Sequence, residues 1–158
     1  MRVRTHTAED TERFGGQLAN ARPAGDQGLA VLYLSGELGA GKTTLVRGFL
    51  RAHGIADAVR SPTYTLLELY AAPAVTLLHV DLYRLRAPGE LESLGLRDWA
   101  RPGCLWLIEW PERGQGYLPR PDLSLTLTVG AGAHDIEVTA DTECGRAWVK
   151  LLSAQSGG

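Results

Sequence analysis

The chain has 158 residues, 44% of them hydrophobic and 22% charged, with a formal net charge of -2 at pH 7. That length suits one domain, since a chain of roughly 150 residues buries about two-thirds of the surface it exposes when unfolded. The near-neutral charge argues against a chain that grips nucleic acid alone, and no run approaches the roughly 20 apolar residues of a bilayer span.

Thr7-Ala8-Glu9-Asp10 has the form of a capping box and opens a predicted helix to about Asn20, with Phe14, Leu18 and Ala21 on one face. Arg22 to Gly28 is a loop. Leu29 to Leu34 is a continuous apolar run that fits a strand buried on both faces, as in a parallel sheet. A glycine-rich turn leads into a helix, Lys42 to His53, with Gly54 as its stop. Ser61-Pro62-Thr63 is a loop that feeds a strand from Tyr64 to Tyr70. Ala72-Pro73 turns into a strand from Val75 to Val80, which ends at Asp81.

Pro88 to Leu96 is predicted as a short helix, with proline near its first turn. Leu105 to Ile108 is a third fully apolar run, opened by Cys104 and ended by Glu109. Cys104 and Cys144 have neither metal-ligand spacing nor the pattern of a disulfide framework. Leu123 to Val129 and His134 to Thr139 alternate across Gly130-Ala131-Gly132-Ala133, the pattern of an antiparallel hairpin. A closing helix, Arg146 to Leu152, completes a domain over 1–152, with 153–158 expected as a flexible tail. The order of elements predicts an α/β fold of P-loop type, mostly parallel, with an antiparallel C-terminal hairpin. The N-terminus has no signal-peptide stretch, and the chain reads as cytoplasmic.

Gly36-Glu37-Leu38-Gly39-Ala40-Gly41-Lys42-Thr43 matches G-x-x-x-x-G-K-[ST] without deviation, between a buried strand and an amphipathic helix. Glycines let successive amides converge on an anion, and the helix start adds the positive end of its dipole. Lys42 is therefore expected to reach the β- and γ-phosphates of ATP, and the Thr43 hydroxyl to ligate Mg²⁺. Glu37, Leu38, Gly39, Ala40, Gly41 and Thr44 complete the phosphate-binding segment.

Mg²⁺-dependent hydrolysis calls for a carboxylate at the carboxyl end of a neighbouring strand. Asp81 and Glu109 both qualify, and spacing leaves open which one meets the metal. Thr63 is a candidate for a loop that senses the γ-phosphate, with a plain turn hydroxyl as the alternative. Trp110 follows Glu109 directly and has either a packing role or a place over the nucleotide or a partner. His79 alternates within an apolar strand and is read as a core histidine. A small-molecule or nucleoside kinase on the same loop is the rival reading.

Four segments together resemble the TsaE (YjeE) family of small bacterial ATPases needed to make threonylcarbamoyladenosine in tRNA. They are Gly36 to Thr44, Ser61 to Leu66, His79 to Leu85 and Leu107 to Glu112, within a resemblance spanning about Thr7 to Pro119. The resemblance implies a chain that acts with TsaD and TsaB on adenosine-37 of tRNAs reading codons that begin with A. The tRNA would be a substrate of the assembly, not a strong ligand of this chain. Thr43 and Glu109 would then hold Mg²⁺, and Asp81 would be a catalytic or water-orienting carboxylate. Thr63 would face the γ-phosphate, Trp110 would be sensitive through nucleotide or partner, and Thr11 would lie near the base.

Overall fold

The computed structural model describes residues 1–25, 28–56, 62 and 64–157. Its first strand, β1 (Arg2–Thr5), is one that the local pattern does not announce. The far end of the chain receives it. Arg4 lies 2.9 Å from Asp135 and Arg2 3.8 Å from Glu137, while Thr5 turns inward and is buried.

Helix α1 (Ala8–Asn20) opens on the expected capping box. The Asp10 amide donates to the Thr7 hydroxyl at 3.0 Å, and the Thr7 amide donates to the Asp10 carboxylate at 3.2 Å. Two amides that a helix start leaves open are thereby paired. Phe14, Leu18 and Ala21 are buried, as their spacing predicts.

β2 (Ala30–Gly36) and α2 (Lys42–Ala52) bracket the glycine-rich loop. β3 (Leu67–Ala71) and β4 (Thr76–Asp81) follow, and then β5 (Cys104–Glu109). β6 (Leu123–Gly130) and β7 (Ala133–Ala140) are the expected hairpin. α3 (Glu143–Ser156) is capped by Thr142 and extends beyond the predicted 146–152 at both ends.

Among the described residues, seven strands form one sheet in the order β1-β7-β6-β2-β5-β4-β3. β6, β2, β5 and β4 are parallel neighbours. The C-terminal hairpin and β1 make the expected antiparallel margin. The opposite margin is antiparallel too, because the short turn at Ala72 and Pro73 returns β4 directly alongside β3. A turn this short has no room for the crossover that a parallel pair needs.

Helices α1, α2 and α3 bury one face of the sheet. Phe14 and Leu18 of α1, Val46 and Phe49 of α2, and Trp148 and Leu152 of α3 pack on Leu32, Leu34, Leu107 and Leu125. Val31, Leu78, Val80, Trp106 and Ile108 face the other way, under Leu82, Leu85, Leu91 and Leu96. The segment predicted as a helix from Pro88 to Leu96 is instead two 3₁₀ turns, Pro88–Leu94 and Leu96–Trp99. Gly95 stands between them at φ 69°, a left-handed conformation that interrupts helical winding. Among the described residues, no helix is long and apolar enough to cross a membrane.

Candidate active site

Three parallel strands end along one edge of the sheet, at Gly36, Asp81 and Glu109. Strand side chains alternate between faces, so 77, 79 and 81 of β4 share one face, as do 105, 107 and 109 of β5. Leu77, Leu105 and Leu107 pack in the core with α2, so that face is the one on which the loop and helix lie. Asp81 and Glu109 are register partners and both are buried. Two largely apolar strands thus deliver two carboxylates side by side beneath the loop.

Above them, Gly41 caps α2 at φ 102° and has no side chain to satisfy the first amides of the helix. An anion is the natural partner for amides so presented. Lys42 is buried and its Nζ donates to the carbonyls of Gly36 at 2.5 Å and Glu37 at 2.9 Å. Burial holds the Lys42 ammonium below its ordinary range, against the opposite pull of Glu109, Asp81 and Glu112. The Thr43 hydroxyl is 3.1 Å from each oxygen of Glu109. Loop, lysine, threonine and both carboxylates surround one cavity of about 330 Å³, also lined by Leu38, Tyr83 and Trp110.

The remaining predicted residues are distributed around this cavity. Glu37 is exposed and contributes its backbone carbonyl, not its carboxylate. Asp81 accepts a hydrogen bond from the Tyr83 amide at 3.0 Å, so it also shapes the turn that leaves β4. Thr44 lines the main cavity and a second one of about 200 Å³ on the far side of the loop. Thr11 lines that second cavity with Thr5, His6 and His134, and its hydroxyl donates to Thr5 at 2.9 Å. Thr63 lies outside the described residues.

Trp110 adopts φ 58°, and its amide donates to the Leu34 carbonyl at 3.2 Å. This turns the indole over the cavity, with the Lys42 ammonium 4.4 Å from the ring centroid and Tyr83 at 5.1 Å. A triphosphate that draws Lys42 away from this ring will change the indole environment. Tryptophan emission is expected to shift on ATP addition and to stay constant in Trp110→Phe. Equal responses from the two proteins would contradict this arrangement.

His79 is the buried core histidine that its strand position predicts, but its contact with Glu109 was not foreseen, and His134 was not singled out at all. The His79 Nε2 lies 2.5 Å from Glu109 Oε2 in a fully buried setting. Its signal was parity, because it stands two residues before Asp81 on the same strand face. His134 Nδ1 is 2.9 Å from the Ala40 carbonyl, across 94 residues of chain, and no local pattern could have found it.

The donors suit a magnesium ion. Among the described residues there is no group of three or more His, Cys, Asp or Glu side chains able to hold a metal. Mg²⁺ bound with a nucleotide needs no such group. It takes one or two protein oxygens and fills its remaining positions with phosphate oxygens and water. Thr43 and Glu109 are such a pair of hard oxygen donors, at the floor of the cavity and beside the loop.

A parallel core sheet, a glycine loop between strand and helix, and an acidic residue closing the adjacent strand define a P-loop nucleotide-binding architecture. Residues 5–136 match the family model described as threonylcarbamoyl adenosine biosynthesis protein TsaE. The chain is 45% identical over 123 residues to the tRNA threonylcarbamoyladenosine biosynthesis protein TsaE of Haemophilus influenzae, covering 78% of each chain. It is 34% identical over 139 residues to the Bacillus subtilis protein of the same name, covering 88% of this chain and 84% of the relative. The crystal structure of Bacillus subtilis YdiB superposes with a TM-score of 0.79 at 28% identity, covering 99% of this chain and 95% of that one. The chain belongs to the TsaE family.

Proposed function

We propose that this chain is a Mg²⁺-dependent ATPase that serves threonylcarbamoylation of adenosine-37 in tRNAs reading codons that begin with A, in a cytoplasmic assembly with TsaD and TsaB. One observation carries the catalytic part of this reading: Lys42, Thr43, Asp81 and Glu109 converge on a single cavity over the glycine loop. The biological part rests on membership of the family and on the names of its relatives.

In this reading the loop amides and Lys42 bind the phosphates, and the second cavity, with Thr11 and His134, receives the base. Thr43 and Glu109 would hold Mg²⁺, whose charge would offset that of the phosphates. Asp81 would orient the water that attacks the γ-phosphorus and accept its proton, while the bond from that phosphorus to the bridging oxygen breaks and ADP leaves. A side-chain base of this kind contributes about 10² to 10⁴ in rate. The rival kinase reading wants a mobile lid over the phosphates. The segment from Pro88 to Trp99 instead buries Leu91 and Leu96 in the core on the opposite face of the sheet.

Asp81→Asn tests the assignment, because it keeps the shape and the acceptor for the Tyr83 amide. It is expected to bind ATP within about threefold of the wild type and to release phosphate at least about 100-fold more slowly. Wild-type hydrolysis by Asp81→Asn would remove the carboxylate from the mechanism. Phosphate loss that required an added nucleoside would favour the kinase.

A further inference from the structure

His79 sits in the middle of β4 with none of its surface exposed. A buried imidazole needs partners for two nitrogens, yet among the described residues only one of them has a hydrogen-bond partner. Nε2 is 2.5 Å from Glu109 Oε2, and Nδ1 is buried with no partner among those residues. A core histidine kept for stability alone would have both nitrogens paired, since an unmet buried polar atom keeps its full desolvation cost. The arrangement gives up one hydrogen bond to aim the other at a single carboxylate.

The geometry also assigns the proton. A bare Nε2 would set its lone pair against those of Glu109, whereas an Nε2–H makes a charge-assisted bond of roughly twice the ordinary strength. The proton therefore sits on Nε2, and His79 donates to Oε2. Glu109 is then held from two sides, by His79 and by the Thr43 hydroxyl. A glutamate left to itself has rotamer freedom to lose when a ligand fixes it. His79 has already removed much of that freedom.

We propose that His79 is a positioning residue for the metal site, whose Nε2–H orients the Glu109 carboxylate for Mg²⁺ beside Thr43. This rests on the reading of Thr43 and Glu109 as the metal-holding pair. Groups that orient a metal ligand typically control 10- to 100-fold of metal affinity. His79 is fully buried and is not among the residues that line the cavity, so its effect runs through Glu109.

The test is a Mg²⁺ titration of each protein saturated with a fluorescent ADP analogue, read by emission, with nucleotide affinity also measured in EDTA. His79→Leu is expected to need about 10- to 100-fold more Mg²⁺ at half-saturation, with metal-free nucleotide affinity unchanged. His79→Gln should recover to within about threefold, because its amide nitrogen reaches the place of Nε2. His79→Asn should resemble leucine, because its amide ends near Nδ1. The Gln and Asn variants are both polar and both leave the strand intact, so their contrast separates aim from stability.

An unchanged Mg²⁺ requirement in folded His79→Leu, or equal recovery by Asn and Gln, would overturn the positioning role. Glu109→Ala distinguishes the two levels of inference. If it raises the Mg²⁺ requirement while His79→Leu does not, only the role of His79 falls. If Glu109→Ala leaves the requirement unchanged, the metal assignment falls and the role of His79 with it.

Discussion

Lys42→Ala is expected to weaken ATP binding by at least about 100-fold while the protein stays folded. Lys42 is the buried ammonium beside the loop, and it donates to the carbonyls of Gly36 and Glu37. Burial has already lowered its affinity for a proton, so part of the cost of removing its water is met before ligand arrives. A phosphate that displaces those carbonyls gains a full opposite charge in a shielded place. Hydrogen bonds to charged groups contribute about 1.5–3 kcal/mol each, and 2.7 kcal/mol corresponds to about 100-fold in Kd.

Lys42→Arg is not expected to rescue binding. Its planar, branched head does not fit between two carbonyls and the Trp110 ring, where a compact ammonium does. Calorimetric or fluorescence titration measures the affinity, and a melting curve checks the fold. Affinity within about fivefold of the wild type for Lys42→Ala would refute the assignment of the loop as the phosphate site.

The second large effect is on stability. Gly48→Ala is expected to destabilise the fold by at least about 2 kcal/mol, although alanine is the better helix former by about 1 kcal/mol. Helices α1 and α2 cross backbone to backbone. A Cβ at Gly48 would stand 1.8 Å from the Glu12 carbonyl oxygen, and one at Gly15 would stand 2.1 Å from that of Leu45. Backbone cannot rotate aside as a side chain can, so the helices must separate. Overpacking of this kind typically costs 1–3 kcal/mol and occasionally more.

The same displacement reaches the proposed nucleotide site. α1 carries Thr11 and α2 carries Thr44, two walls of the second cavity. Chemical denaturation measures the loss, and ATP titration is expected to show a parallel drop in affinity. A Gly48→Ala protein as stable as the wild type would mean that the crossing is looser than its backbone geometry requires.

The candidate site was legible wherever its geometry is local. Gly36 to Thr43 form their cradle from adjacent residues, so the motif carries its own structure. Thr7 and Asp10 close a capping box across three residues for the same reason. Asp81 and Glu109 were legible because an acidic residue closes a run of apolar ones. Their adjacency was not legible, since it depends on the parallel register that sets Asp81 against Glu109. The segment from Pro88 to Trp99 has apolar residues at helical intervals, but Gly95 breaks the winding and the core takes Leu91 and Leu96 from two 3₁₀ turns.

Sequence by itself determined the chemistry of the loop, the alternation of strands and helices, and the two acidic strand ends. Each of these follows from residues within a few positions of one another, where covalent geometry leaves little choice. Only the tertiary structure decided that His79 faces Glu109, that His134 meets Ala40 across 94 residues, and that Arg2 and Arg4 make a strand by finding Glu137 and Asp135. Those contacts depend on sheet order and register. These are set by the summed burial of Leu32, Leu107, Leu125 and their neighbours, a property of the whole core and of no short stretch of it.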